Sequence, residues 1–480
     1  MKKFPLYLSF GICLLAYNAQ ADYTYAEDSA RVINGVLYDL NGEVVTGVYE
    51  EVYENNIKKS EMPYVEGVLN GIGHHYDEKG RKQADMPFVN GKLEGVALTY
   101  YPDGSMREKI PYKNNKIHGI LRRYFPNGKV ESRVTYQNGL KEGVAKEYYE
   151  TGQVKNIYTN KNDSQNGQGT RYYPDGRVSE EYYYKDGTQI GETTLFYKSG
   201  EKKSVVVFDP SGERKTLQRF YKNGSLQAEI PYKNNALNGE GVFYTPDGET
   251  DLTVNYTDNK RNGEATSYYA DGKVRLTVNY VDDSKDGLET EYYEDGKIKT
   301  QTMYVDDRPM GISKSYDQAG NVIAEVNYED GVKNGLFKQY GENGITLAEG
   351  VYQDGALNGV YKEFYPSGKE KSVTTYEKGI REGLSLTYDE DGNLQYEIPY
   401  IKDRKEGKLK RYYANGKVMG EISYEKGLKH GMLDAYNEDG TLMAKVLFNK
   451  DNAIKGYSFD HGEKPTLMTK DDLKRINETY

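Results

Sequence analysis

The residues that could do chemistry here are few histidines, scattered acids and a great many tyrosines. Of the histidines, His74 and His75 are adjacent, and on a strand adjacent side chains leave opposite faces. His118, His430 and His461 stand alone, in or near turn-forming sequence. No His-x-x-x-His pair and no strained nucleophile turn accompanies them, so neither a metal site nor a catalytic dyad is assembled. Acids gather at Asp282-Asp283 with Asp286, at Asp306-Asp307, and at Asp451 near Asn449 and Asn452. Calcium needs several converging oxygens in a defined loop. That loop pattern is absent, and these acids read as turn formers and edge-protecting charges. The expectation is a chain with no catalytic residues, no cofactor and no metal.

The tyrosines are different, because their spacing is regular. There are 49, against 12 Phe and no Trp, in a chain of 480 residues with 52 glycines. From Gly47 onward the chain aligns in blocks of 24 without insertion or deletion as far as Phe448. One glycine column runs 47, 71, 95 and so on to Gly431, with Lys215 its single exception. A first aromatic column runs from Tyr76 through Tyr100, Tyr124, Tyr148 and Tyr172 to Tyr436, with Val52 in the first block. A second glycine column includes Gly80, Gly104, Gly128, Gly176, Gly272, Gly368 and Gly416. A second aromatic column includes Tyr64, Tyr112, Tyr136, Tyr184 and Tyr232 and ends at Phe448; only Asn160 breaks it.

Each block reads as a β-hairpin. Alternate residues Val96, Leu98 and Tyr100 form one strand's apolar set, and Val130, Ser132, Val134 and Tyr136 form the other's. Period two with β-branched and aromatic residues is the strand signature. Glu131, Arg133 and Thr135 lie between, so one face is expected to be apolar and aromatic and the other wet. The first turn carries Pro-Asp-Gly or Pro-Asn-Gly, as at Pro102-Asp103-Gly104, Pro126-Asn127-Gly128 and Pro174-Asp175-Gly176. The second turn has its own column of Gly, Asn or Asp (Gly91, Asn115, Gly139, Asp163, Asn235, Asn259, Asp283, Asp307), from which Ser211 departs. Those residue types visit the left-handed region at least cost. The fold class is therefore all-β: an elongated array of tandem antiparallel hairpins forming a twisted or coiled single-layer meander. Seventeen units at roughly 10 Å each would span on the order of 160 Å before coiling.

On this reading residues 47–456 are the repeats. Residues 22–46, with turn signals at Asn34-Gly35 and Asn41-Gly42, form a hairpin-like cap. Residues 457–480 form a second cap, where Thr469-x-x-Asp472 ahead of Leu473 and Ile476 predicts a short helix. Residues 1–21 read as a signal peptide: Lys2 and Lys3, an apolar run over 4–17, and Ala19-Gln20-Ala21 before the cut. The lone Cys13 lies inside that leader, so the mature chain has no thiol chemistry and needs no disulfide. Net charge is −10, or −12 once the two leader lysines are removed, which excludes nucleic acid as a natural partner. No later stretch is apolar enough to span a membrane as a helix.

The recurrence of Tyr-Tyr-x-x-Gly-Lys followed by x-x-Tyr-x-x-Gly-x-x-x-Gly resembles the MORN repeat variant of the YwqK-like antitoxin family. Tyr172-Tyr173-Pro174-Asp175-Gly176, Tyr268-Tyr269-Ala270-Asp271-Gly272-Lys273 and Tyr412-Tyr413-Ala414-Asn415-Gly416-Lys417 carry the resemblance. It implies an antiparallel β-array used for binding. A leader and so many units fit an exported, many-repeat member better than a cytoplasmic antitoxin.

Function is then expected in the columns. Tyr100, Tyr124, Tyr148 and Tyr172 should form one ladder, and Tyr112, Tyr136, Tyr184 and Tyr232 a parallel one. A column of small residues (Ala84, Ser132, Ser204, Ala228, Ala324) lies between them. The tyrosines either flank an open groove or close over the small residues as a thin core. The leading expectation is a non-enzymatic, exported repeat protein of periplasm, cell surface or medium. It would bind a protein or cell-surface polymer through an extended β face, in adhesion or envelope interaction. An antitoxin or immunity-type protein and a carbohydrate-binding module are the alternatives. The breaks at Asn160 and Lys215 mark either a bend or a binding site.

Overall fold

The computed structural model describes residues 30–460 and 464–479. The leader, residues 22–29 of the first cap, and His461 lie outside the described residues. The described chain is almost entirely strand, and the strands pair with their sequence neighbours in antiparallel register. It divides into two compact units, residues 1–226 with 233–235, and residues 227–232 with 236–480.

One repeat of the first unit shows how the sequence builds the hairpin. Strand Gly95–Tyr100 meets strand Met106–Lys113 with Ala97 opposite Ile110 and Thr99 opposite Glu108. Between them Tyr101 N–H donates to Ser105 O at 2.8 Å and Gly104 N–H to Tyr101 O at 2.9 Å. Gly80, Gly104, Gly128, Gly176, Gly272, Gly368 and Gly416 hold this same turn position, with φ between 76° and 88°. A side chain there would sit in the left-handed region, which glycine alone enters freely.

The second turn is a two-residue loop with positive φ at both positions, 48° at Asn114 and 63° at Asn115. Such a primed turn matches the right-handed strand twist and accounts for the Gly/Asn/Asp column. The hairpin continues through the short strand Lys116–Ile117 into Gly119–Tyr124. Second turns also dock on the ones before them: Asn115 N–H donates to Leu93 O at 3.0 Å, and Asp283 N–H to Arg261 O at 3.0 Å.

The register corrects the expected placement of the aromatic columns. Directly opposed residues share a face, and Gly95 opposes Tyr112 while Val96 opposes Pro111. Hence Ala97, Thr99, Ile110 and Tyr112 share the first face, and Val96, Leu98 and Pro111 the second. Ala97, Thr99 and Ile110 are buried, whereas Val96 is 52% exposed. Tyr100 follows Val96 and Leu98 onto the second face, and its hydroxyl reaches Asp85, which opposes Leu98 there. The two aromatic columns therefore lie on opposite sides of the sheet. The small residues lie beside only one of them, because Ala84 opposes Thr99 on the first face. A groove flanked by both ladders is not formed.

Each unit has its own core. In the first, Leu37 packs with Tyr49 and Tyr64, and the hairpin Ala30–Ile33/Val36–Asp39 turns at Asn34 and Gly35. In the second, Val254, Ala265 and Val278 pack together under Phe243, Tyr256 and Tyr280. The helix Lys470–Thr479 closes that unit. Thr469 and Asp472 form a reciprocal capping box: Asp472 N–H donates to Thr469 Oγ1 at 3.2 Å, and Thr469 N–H to Asp472 Oδ2 at 3.0 Å. Leu473 and Ile476 pack on the cluster of Ile422, Val446 and Phe448, covering the last strands.

Candidate functional site

The first face carries the second aromatic column. Tyr112, Tyr136, Tyr184 and Tyr232 are each partly buried. Burial raises the phenols of Tyr112 and Tyr136 above their ordinary value, with Glu108 and Asp163 respectively adding to the effect. The thin core beneath combines small residues such as Ala97 and Ala265 with single aliphatic ones such as Ile110 and Val278, and rings also meet their neighbours. Phe337 meets Tyr352 edge-on at 5.9 Å, and Tyr361 meets Tyr376 edge-on at 6.0 Å.

In the second unit this face gains a feature the aromatic columns alone do not announce. The second residue after the second turn is repeatedly basic and lies over the ring of the following repeat. Arg261 stands 4.1 Å from the Tyr280 ring centre, Lys285 4.8 Å from Tyr304, Lys333 5.2 Å from Tyr352, Arg381 4.2 Å from Tyr400 and Lys405 5.1 Å from Tyr424. Cations therefore lie over five of the seven rings from Tyr280 to Tyr424, the column being interrupted by Pro309 and Leu357. In the first repeats the same position holds Leu69, Leu93 and Ile117, so the sequence did contain this signal, as a change of residue type within one column.

The second face carries the first aromatic column. Tyr100 donates to Asp85 at 2.6 Å and Tyr76 to Glu61 at 2.6 Å. Both phenols are pushed up to about 12: burial and then the Asp85 bond for Tyr100, the Glu61 bond and then burial for Tyr76. Tyr148 lies beneath the Arg133 guanidinium at 5.7 Å. Tyr124 and Tyr172 supply main-chain carbonyls to the hydroxyls of Tyr101 and Tyr149, both at 2.7 Å. These are contacts between successive hairpins, repeated along each unit.

Comparison with known families identifies the repeat. The MORN repeat variant matches residues 93–114, 117–138, 141–162, 165–186, 215–234, 261–282, 285–306, 311–330, 357–378, 381–402 and 405–426, and the MORN repeat matches 232–250. The chain is built of MORN repeats. No curated protein matches it. Among solved structures, the TcdB2–TccC3 complex is 11% identical over 88% of this chain and 32% of that one, with a TM-score of 0.12. The Tc holotoxin pore of Photorhabdus luminescens is 12% identical over 88% and 24%, with a TM-score of 0.13. The chain thus spans a third or less of those proteins, and nothing below rests on the likeness. Many tandem MORN repeats make this a repeat-based binding or scaffold protein.

The remaining candidates fall into place as parts of the MORN ladder. His74 and His75 do point to opposite faces, opposing Asp85 and Ala84. His74 Nδ1 lies 2.5 Å from Asp85 Oδ1, while burial holds His75 below its ordinary value. His118 Nδ1 accepts from Asn138 N–H at 3.4 Å, and His430 stands 3.8 Å from Glu425. The acidic turns cap their neighbours. Asp283 Oδ1 accepts from Arg261 N–H at 2.9 Å, Asp307 from Lys285 N–H at 2.7 Å and Asp451 from Lys429 N–H at 2.8 Å. Bonds from Arg261 hold the Asp283 carboxyl below the usual range. Among the described residues no group of three His, Cys, Asp or Glu side chains is placed to hold a metal ion. No helix there is long and apolar enough to cross a membrane.

The two breaks in the MORN columns are local repackings. Asn160 is buried and its Nδ2 has no hydrogen-bond partner. In the following repeat Tyr182 is itself buried: it is 3% exposed, donates to Asn156 Oδ1 at 2.9 Å and meets Tyr184 edge-on at 5.6 Å. At Lys215 the missing glycine goes with a changed turn. Asp209 N–H donates to Glu213 O at 2.9 Å and Gly212 N–H to Asp209 O at 3.0 Å, which is the first-turn pattern used at a second-turn position.

Proposed function

We propose that this chain is an exported, non-enzymatic scaffold that holds an extended protein or cell-surface polymer along the first face of its MORN ladder, in adhesion or envelope interaction. The observation that carries the reading is the recurrence of five cation–ring pairs between Arg261 and Tyr424. Each pair is a weak contact point for a polar or anionic group that also offers an apolar surface. Recurring at intervals of one or two repeats, such points suit a ligand that is itself extended, because linked weak contacts multiply. Export is supported by the basic start, short apolar run and Ala19-Gln20-Ala21 of the leader. The histidines and acids already described are engaged in turns and ladders, which supports a binding role over catalysis.

The test is retention of the purified chain on envelope fractions, alongside fractionation of cells expressing it. Export predicts a mature form beginning at Asp22 outside the cytoplasm, bound to envelope material. Replacing Lys285, Lys333 and Lys405 together with alanine should reduce retention at least about 10-fold. An uncleaved cytoplasmic protein, or retention indifferent to the triple change, overturns the proposal.

A further inference from the structure

The second face of the second unit carries an aliphatic ridge that nothing among the described residues covers. The residue after the repeat glycine is Leu288, Ile312, Leu336, Val360 and Leu384 in five successive repeats, and these are 45%, 58%, 52%, 50% and 46% exposed. The opposing strands add Met303, opposite Leu288, and Val351, opposite Leu336, at 42% and 43% exposed. In the three preceding repeats the same position is Thr216, Glu240 and Glu264, which bound the run; the first unit has a like run from Val48 to Val144, but there the row beside it reads Arg122, Arg133 and Lys146, without alternation of charge. Exposed apolar rows of this extent mark interaction surfaces.

A second row on that face lies immediately alongside. Strand by strand it runs Lys314, Glu325, Lys338, Glu349, Lys362, each opposing the next. Lys314 pairs with Glu325 at 3.0 Å and Lys338 with Glu349 at 3.8 Å. The alternation has a step of one strand, about 4.8 Å. A partner must therefore offer aliphatic side chains every two strands and an opposite charge at every strand.

We infer that the partner is a second copy of this chain, stacked face to face with its ladder reversed. A two-fold axis passing between neighbouring strands sets Lys338 opposite Glu325 of the partner subunit and Glu325 opposite Lys338 of the partner subunit, so the row is complementary to itself. The same operation lays ridge on ridge with a common period, and two sheets of equal twist stack at about 10 Å. The ridge gives a strip about 50 Å long and about 7 Å wide, and the charged row adds about 24 Å by 7 Å beside it. That is about 500 Å² per copy and about 1,000 Å² in all, the size of a weak specific interface. A lipid surface fits the ridge less well, because Glu325 and Glu349 would face it. This association stands apart from the polymer binding proposed above, which uses the other face.

Sedimentation velocity of the full mature chain tests it. Between about 1 and 100 μM the wild type should shift from monomer to dimer and go no further. The change Leu336→Glu with Val360→Glu should weaken dimerisation at least about 100-fold, and Lys338→Glu should weaken it about 10-fold. Glu240→Gln, outside the ridge, should leave it unchanged. Circular dichroism and the thermal midpoint report whether each variant is folded. A wild type that stays monomeric throughout, or a dimer that survives the double change in a folded chain, overturns the inference.

Discussion

The hydroxyl of Tyr269 donates to the main-chain carbonyl of Tyr292, 2.6 Å away and one repeat further along. Tyr293 does the same to Tyr316 at 2.7 Å, Tyr365 to Tyr388 at 2.8 Å and Tyr413 to Tyr436 at 2.8 Å. The second member of each Tyr-Tyr doublet is thus a tie between hairpins. Where Asp replaces it, the tie is lost and the turn is stabilised from within: Asp77 Oδ1 accepts from the N–H groups of Lys79 and Arg81, both at 2.9 Å. Tyr269→Phe keeps the ring and removes the tie, and should cost about 1 kcal/mol. In a ladder whose stability is a sum of neighbour terms, Tyr269→Phe with Tyr293→Phe should cost about twice as much. Denaturant melts of the single and double variants check both figures.

Asp283 couples turns by a different route. Its carboxylate binds the N–H and Nε of Arg261, which holds the guanidinium over Tyr280, and its own φ is 78°. Asp283→Gly keeps the backbone conformation and removes the carboxylate, so about 1 kcal/mol should be lost and exchange of the Arg261 amide should quicken. Asp283→Val adds left-handed strain to the same loss and should cost at least about 1 kcal/mol more. Equal effects of the two changes would mean that the carboxylate bonds dominate and the turn tolerates a β-branched residue.

The hairpins and both turns were legible in the sequence because Pro-Asp-Gly and the Gly/Asn/Asp column specify backbone conformations directly. The faces were not. Alternation within one strand shows which residues share a side of that strand. It does not show how Tyr100 and Tyr112 relate across the turn. That relation is set by the register, which opposes Gly95 to Tyr112 and carries a bulge before Tyr100. One residue of slip exchanges the faces. The ties also escaped notice, since Tyr269 and Asp283 act on neighbouring repeats and a column read vertically gives no sign of it. The cap helix was legible because Thr469 and Asp472 satisfy each other locally.

The raised phenols set an alkaline limit. Tyr76, Tyr100, Tyr158 and Tyr412 are pushed from 10.0 to about 12 in the folded chain. A group whose folded value is raised contributes stability that is fully present below its unfolded value and is lost as pH rises through the folded one. Stability should therefore be flat with respect to these groups below about pH 10 and fall between about pH 10 and 12. Tyr100→Phe removes one contributor and should flatten part of that fall. Denaturant midpoints across pH 8–12, with phenolate absorbance followed in parallel, check the window and its sign.

Gly169 and Tyr182 are matched to each other in the repeat after the break at Asn160. A Cβ on Gly169 would lie 2.3 Å from the Tyr182 ring carbons Cε2 and Cζ, a separation no packed side chain tolerates. Tyr182 occupies the position that is Val254 and Val278 in later repeats, and both of those are buried. The glycine therefore makes room for a ring standing where a smaller side chain is usual, in the repeat that follows the missing tyrosine. Gly169→Ala alone should destabilise the first unit by about 1–3 kcal/mol through overpacking. Tyr182→Val alone removes a buried ring and strands the Asn156 amide, and should also cost about 1–3 kcal/mol. Because the alanine methyl fills part of the space the ring leaves, the double change should cost less than the sum of the two by at least about 1 kcal/mol. Melts of the four chains form the double-mutant cycle, and simple additivity would mean that Gly169 is not the residue that admits the ring.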